Sequence, residues 1–472
     1  MRPIFGQIAS RVFLWQRANH AVFLARNIVL AWFISPSEQG WFATGLNLTI
    51  YFTLLTTFEF RTPILTTRNP SRELWNTQWS AEMALSLTAL LLGLAATPLL
   101  LRTRDIPIVA SLLGLLVANV VEVSASSHLY AAEKAMEFPF LTALRTVVNI
   151  LSFGVCLLIA VMGWGWEAMV IDRMISAIMI ATVLWTRSGL RLRFQFDYEQ
   201  IRYLWSTIKV LFLCGVFGKI AMGFDMYAVG RWLSGEAAGL YQMALKWALV
   251  PMEIGGGFLA MMALSWHAAH AHEGQDALRR SYHQITFHLV RFCAWTTVCL
   301  ALFLSELFRW VYKPEWQAVP GFFLLLLPYI FARPFQQNCF QVLLAMKQNR
   351  FLLGVSIVHA GLLIVLTLLA LPWGLTGIIV AAGASLLASY ALLEQKIHRL
   401  LKTELGTLFV HPLLIAFATL ALAYSLGCFG LAPAILFSIK VALSVLYTFT
   451  AYGEWSRGRR RAEESVVGSD AG

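Results

Sequence analysis

Residues Ile34–Leu46 read ISPSEQGWFATGL, and 199 positions later Leu233–Leu245 read LSGEAAGLYQMAL. The shared pattern is aliphatic-Ser-small, then Gly, aromatic, small and Leu. Ser, Pro and Gly start helices and make tight turns, so each copy reads as the connection between two long helices. A weaker match recurs at a shift of 213, where Ala132-Glu133-Lys134 ending at Phe138 pairs with Ala345-Met346-Lys347 ending at Phe351. Any two turns match sometimes by chance. Two matches at equivalent places predict a chain built from two copies of one unit.

The sequence around these connections is apolar. Of 472 residues, 58% are hydrophobic and 13% charged, against about 25% charged in a soluble domain, and mean hydropathy is +0.68. Too few charges remain to coat a soluble surface, which excludes a soluble enzyme, a nucleic-acid binder and a disordered scaffold. The apolar runs are long and rich in Leu and Ala, unlike the short alternating strands of a membrane barrel. Fourteen spans are predicted, over about 12–34, 41–60, 80–101, 106–126, 138–161, 166–186, 203–229, 237–264, 284–304, 318–346, 351–371, 374–393, 408–427 and 431–452. The fold class is therefore an all-α polytopic membrane protein. It divides into an N-lobe over 1–193, a C-lobe over 194–400, two additional helices over 401–452 and a disordered cytoplasmic tail over 453–472. Six spans per copy is an even number, so the copies run parallel and are related by an axis along the membrane normal.

Lys and Arg give the orientation, because they collect in cytoplasmic loops. With the N-terminus inside, 21 of the 36 fall in inside segments and 5 in outside loops. Both termini are thus placed in the cytoplasm, and most of the +11 net charge is topology signal rather than a nucleic-acid footprint. The outside loops are short, the longest running from about Ser305 to Gln317, which leaves no loop domain for a membrane enzyme's chemistry. The six cysteines form no CxxC pair, so neither zinc nor a disulfide framework is indicated. The N-terminus lacks the pattern of a cleaved signal peptide. Walker, GxGxxG and triad patterns are absent.

The connecting motifs also carry a resemblance. SPSEQGWFA (Ser35–Ala43), LSGEAAGLYQMALKWALVP (Leu233–Pro251), DMYAVGR (Asp225–Arg231), VYKPEWQAVP (Val311–Pro320) and LLAMKQNR (Leu343–Arg350) are similar to the oligosaccharide and polysaccharide flippases of bacterial envelopes, the O-antigen flippase-like family. Its superfamily also holds multidrug-and-toxin exporters and the lipid II flippase. The resemblance covers about residues 20–395. It implies a V-shaped pair of six-helix lobes around a central cavity. The implied substrate is undecaprenyl-pyrophosphate-linked oligosaccharide, moved from the cytoplasmic to the periplasmic leaflet of the cell inner membrane. Phe58-Glu59-Phe60-Arg61 departs from the apolar, Gly-containing stretch common in the family.

Ionisable groups inside a membrane are costly and face a cavity or a partner. Ten Lys and Arg fall within the predicted spans and outnumber the acids there, among them Glu59, Glu82, Glu122, Asp172, Asp225 and Glu253. Structural pairing alone would give balance, so the cationic excess suits an anionic pyrophosphate or acidic sugar, which Arg grips bidentately. The candidate substrate-binding residues are Arg26, Lys219, Lys246, Arg333, Gln336, Gln337 and Asn338. Asp225, Glu253 and Glu122 are the candidate ion-coupling groups, since a buried carboxylate can carry a coupling proton. Glu253 follows Pro251 and precedes Gly255-Gly256-Gly257, a predicted kink and hinge. By the 199-residue shift Asp225 is the counterpart of Arg26, and the two are expected to meet. Each candidate has a plainer reading, an ion pair within the protein or a side chain snorkelling to the interface. Lys209, Arg145, Arg291 and Lys440 are read as snorkelling, and the adjacent Asp172 and Arg173 as structural, near the outer surface. His267, His270 and His272 resemble a metal site but are read as a solvated loop.

The function expected is a secondary flippase working by alternating access, with no cofactor beyond a proton or sodium gradient. Its partners are the lipid-linked oligosaccharide, membrane lipids and a polysaccharide polymerase or other assembly protein, with no nucleic acid. The alternatives are a multidrug or metabolite exporter of the same fold, a membrane enzyme of polysaccharide assembly, and a structural partner in an assembly complex.

Overall fold

The computed structural model describes residues 2–54, 60–67, 69–102, 104–253, 263, 266–267, 270–271, 273–403, 415–425 and 435–448. Among the described residues there is no strand. The helices are α1 (Arg2–Leu30), α2 (Pro36–Phe52), α3 (Arg61–Thr66), α4 (Arg72–Leu100), α5 (Ile106–Ser124), α6 (Ser126–Lys134), α7 (Phe138–Val161), α8 (Gly165–Ser188), α9 (Tyr198–Trp232) and α10 (Gly235–Pro251). They continue as α11 (Gln275–Val311), α12 (Val319–Leu325), α13 (Leu327–Ala345), α14 (Asn349–Ala370) and α15 (Gly374–Leu401), then α16 (Ile415–Ser425) and α17 (Ile435–Thr448).

Among the described residues, six helical stretches are long and apolar enough to cross a membrane, or eight if each of two bent pairs is one span. The expected span over 318–346 is one of those pairs, bent by 55° between α12 and α13. The expected last two spans correspond to the shorter apolar helices α16 and α17. Glu59, Gly255-Gly256-Gly257, His272, Cys428 and the tail over 453–472 lie outside the described residues.

Local chemistry explains where the elements start. Ser35 caps α2: its hydroxyl accepts the Glu38 N–H, and the Glu38 carboxylate accepts the Ser35 N–H at 2.8 Å, a reciprocal capping box with Pro36 in the first turn. One repeat later the Ser234 hydroxyl accepts the Ala237 N–H at 3.1 Å and α10 begins at Gly235, so both copies start a helix at the same register. The second match behaves differently. Met136 and Lys347 both adopt left-handed backbone, the following N–H in each case closes on a carbonyl five residues back, and α7 and α14 begin two residues on. The turn recurs, but at a shift of 211 rather than 213. A left-handed helix stop is set by backbone geometry, and here Met and Lys occupy it, so matching letters misses the register.

The chain packs as two units, Met1–Met243 with Asn349–Ala382, and Ala244–Gln348 with Gly383–Gly472. In the first, α5 packs on α2, α4 and α8, α7 on α1 and α8, and α9 on α2 and α14. The two copies of the repeat meet inside this unit. A Cβ on Gly40 would stand 1.8 Å from the Gly235 carbonyl oxygen, and one on Gly239 would stand 1.8 Å from the Pro36 oxygen. Gly239 is the counterpart of Gly40, and Gly235 of Pro36, so this is one contact made twice, in the manner of a two-fold axis. Only glycine lets the backbones approach this closely, as in small-xxx-small helix contacts.

In the second unit α11 packs on α12 and α13. Buried Ala294, Val298, Leu302 and Phe331 form one core with Ala416, Ala423 and Tyr447 of the last two helices. Lys440 on α17 reaches Glu306 on α11 at 2.6 Å. Lys440 is therefore paired within the protein, a correction to its reading as a snorkelling side chain.

Candidate functional site

The first unit holds Arg26, Lys219, Asp225 and Glu122. Arg26, near the C-terminal end of α1, donates to Asp172 on α8 at 2.6 Å, with side-chain exposures of 24% and 1%. Asp172 is thus a buried counter-ion of Arg26, in keeping with its structural reading, while its neighbour Arg173 is exposed. Adjacent helical residues lie about 100° apart, which lets one face in and the other out. Asp225 on α9 is buried and accepts hydrogen bonds from the Tyr241 hydroxyl and the Met226 N–H. The expected meeting of Arg26 with Asp225 is replaced by these separate partnerships. Lys219 is half-buried on α9, and Glu122 is exposed on the last turn of α5.

A polar seam runs between α2 and α9. Thr44 and Asn47 are buried and face Gly230 and Gly223, where a Cβ would stand 2.3 Å from the Thr44 hydroxyl and 2.8 Å from the Asn47 carbonyl oxygen. Arg104 donates to the Gly230 carbonyl at 2.9 Å and lies over the Tyr227 ring. Glu82 on α4 is buried and takes hydroxyl hydrogen bonds from Ser126 and Tyr130.

The second unit holds Lys246, Glu253, Arg333, Gln336, Gln337 and Asn338. On α13 Arg333 donates to Gln336 at 3.3 Å, and Gln336 donates to the Ser389 hydroxyl on α15 at 2.9 Å. Arg333, Gln336 and Gln337 are half-buried on one side of the helix, as are Lys246 and Glu253 on their own segments. Asn338 faces elsewhere. It is buried, its amide donates to Thr286 at 3.1 Å, and its oxygen meets His267 at 3.0 Å. One end of its amide is taken up by α11 and the other by His267, which precedes that helix. Since the Asn338 nitrogen donates, its oxygen accepts, and His267 carries the proton on Nε2. His267 Nδ1 pairs with the Ser281 hydroxyl at 2.8 Å. This histidine is fully buried, a correction to the solvated-loop reading.

Beside this network lies a carboxylate that sequence reading missed. Glu394 on α15 accepts from the Tyr282 hydroxyl at 2.6 Å and from the Cys339 thiol at 3.4 Å. The predicted span stopped at residue 393, where the apolar run ends, but the helix continues to Leu401. The spacing of Tyr390, Glu394 and His398 on one helical face is the signal that marks it. Among the described residues, no group of three His, Cys, Asp or Glu is placed to hold a metal ion.

A family model described as "Polysaccharide biosynthesis protein" matches residues 29–320. The fold is similar to that of the lipid II flippase MurJ in an inward closed conformation, with a TM-score of 0.75 and 13% identity over 96% of this chain and 99% of that one. It is also similar to an inward-facing multidrug resistance MATE family transporter of the MOP superfamily, with a TM-score of 0.56 and 14% identity over 82% and 96%. A MOP superfamily transporter from Pyrococcus furiosus aligns with a TM-score of 0.56 and 12% identity over 84% and 96%. No curated protein matches the sequence.

Proposed function

The chain belongs to the polysaccharide biosynthesis protein family, and from that premise we propose that it is a secondary transporter flipping undecaprenyl-pyrophosphate-linked oligosaccharide from the cytoplasmic to the periplasmic leaflet. The observation that carries the reading is the family match over residues 29–320. The fold shared with a lipid flippase and with transporters supports it and fits a protein that is not an enzyme. The protein sits in the cell inner membrane with both termini in the cytoplasm, works beside a polysaccharide polymerase or other assembly protein, and draws on a proton or sodium gradient.

In this reading the lobes over 1–193 and 194–400 alternate access to a cationic cavity, with the helices over 401–452 as an addition. Arg26, Lys219, Lys246 and Arg333 receive the pyrophosphate, since a guanidinium offers paired donors to phosphate oxygens. Gln336 and Gln337 bond sugar hydroxyls. Asp225 and Glu253 are the coupling carboxylates. The glycine contact between α2 and α10 closes one side of the route and parts when the other side closes.

A conditional depletion strain tests this. Lipid-linked oligosaccharide is expected to accumulate on the cytoplasmic leaflet and to clear on re-expression of the parent chain, but not of Arg333→Ala. Unchanged lipid-linked sugar with increased retention of dyes or drugs would overturn the reading in favour of an exporter.

A further inference from the structure

The segment 189–197, GLRLRFQFD, joins α8 to α9 and alternates strictly: Leu190, Leu192, Phe194 and Phe196 against Arg191, Arg193, Gln195 and Asp197. Gly189, with φ +62°, ends α8, and Asp197 caps α9 by accepting the N–H groups of Glu199 and Gln200. Between them the backbone is extended along the first turns of α4. Side chains of α4 take every second N–H: Arg193 to Asn76 at 3.1 Å, Gln195 to the Ser80 hydroxyl at 2.8 Å, and Asp197 to the Thr77 hydroxyl at 3.2 Å. Asn76 donates back to the Gln195 side chain at 2.9 Å, and Arg72 to the Arg191 carbonyl at 3.4 Å. Asn76, Thr77 and Ser80 are buried. One face of a helix thus does what a neighbouring strand would do, satisfying N–H groups that have no partner of their own.

The clip fixes where the side chains point, because they alternate along extended backbone. Leu192 packs into the core of Phe60, Ile64, Leu74, Trp75, Leu204 and Ile208. The same edge then emerges: Phe194 is 60% and Phe196 51% exposed. Their rings meet edge-on at 5.2 Å, and Phe194 meets Trp79 in the same way at 6.2 Å. Trp79 and the exposed Trp185 both donate to the Ser124 carbonyl, at 2.9 and 3.2 Å. Arg191 and Arg193, which alternate with these residues along the segment, are exposed as well, as is Arg202.

We propose that this linker is a binding surface for acidic phospholipid at the membrane interface. Phe194 and Phe196 enter the acyl region just below the headgroups, with Trp79 and Trp185 at headgroup depth. Arg191, Arg193 and Arg202 take the phosphate. An exposed apolar row held rigidly and flanked by guanidinium groups is complementary to a layer with acyl chains on one side and anionic phosphate on the other. Trp at the interface and juxtamembrane cations are the two elements that recognise such a layer.

Two measurements on the full chain test the proposal. In native mass spectrometry with phosphatidylglycerol and phosphatidylcholine as probes, the parent prefers phosphatidylglycerol. Arg191→Gln with Arg193→Gln is expected to weaken that binding roughly 30-fold. Both side chains are exposed, so its melting temperature without added lipid stays at the parent value, which shows that the variant folds. A nitroxide on Phe196→Cys in phosphatidylglycerol nanodiscs is expected to collide with oxygen more than with an aqueous nickel complex. A loss of binding under about threefold, equal binding of the two lipids by the parent, or a nickel-accessible label would each overturn the proposal.

Discussion

Breaking the Arg26–Asp172 pair separates a gripping residue from its holder. The atoms are 2.6 Å apart, Asp172 is 1% exposed and Arg26 24%. At an effective dielectric of about 20, unit charges near 4 Å attract by about 4 kcal/mol. Removing one partner of a buried pair costs about 3–5 kcal/mol, because the other charge stays buried and uncompensated. Arg26 keeps some exposure, so Asp172→Asn is expected at the lower end, about 3 kcal/mol, read by SDS-induced unfolding in mixed micelles. Arg26→Gln with Asp172→Asn removes both charges and is expected to recover at least about 2 kcal/mol of the summed single losses. Flipping separates the roles: Arg26→Gln abolishes it, whereas Asp172→Asn lowers it in step with the folded fraction. Additive single and double effects, within about 0.5 kcal/mol, would refute the coupling. Full flipping by Arg26→Gln would refute the gripping role.

Gly40→Ala and Gly239→Ala each place a methyl against backbone at 1.8 Å, whereas at Gly235 the nearest atom belongs to the Trp41 side chain at 3.0 Å. The first two are expected to lose about 1–3 kcal/mol and Gly235→Ala less; equal losses in thermal unfolding count against the contact. His128, on short α6 outside the candidate spans, is buried and bonded to the Ser188 hydroxyl, and burial lowers its pKa. Below the unfolded value of about 6.5 the unfolded chain binds more protons. Stability is therefore fully present above that pH and is lost as pH falls through it towards the folded value. His128→Gln is expected to reduce this slope between pH 7 and 5, and an unaltered slope would show that His128 does not contribute.

What could be read from the sequence follows from how local each cause is. Ser35, Pro36 and Glu38 write a helix start within four letters, so the first connection was legible and its copy at Ser234 fell at the same register. The helical class followed from long apolar runs. Partnerships across the fold were not legible. The partner of Asp172 could not be read off, because Arg173 stands next to it in sequence while Arg26 comes from another helix. Glu394 was lost because an apolar run ends before its helix does. His267 looked like loop because three histidines raise polarity, yet two polar partners satisfy this one inside the packing. The alternation at 189–197 was visible, but its arginines were counted only as an orientation signal.

The reciprocal glycine contact also bears on which copy leads. A junction built from two equivalent halves about an axis along the membrane normal treats both copies alike, so it cannot itself set one copy moving before the other. Bias has to enter where the halves differ. One of their differences is a carboxylate: Glu38 closes the ring around Ser35 and lies over Gly165, where a Cβ would sit 1.9 Å from it, while its counterpart Ala237 offers only a backbone N–H. The α2 half is braced to α8 through this carboxylate, and Ala237 has no side chain to do the same for the α10 half. This glutamate thus gives the α2 half of the hinge a brace that its counterpart in the α10 half does not supply.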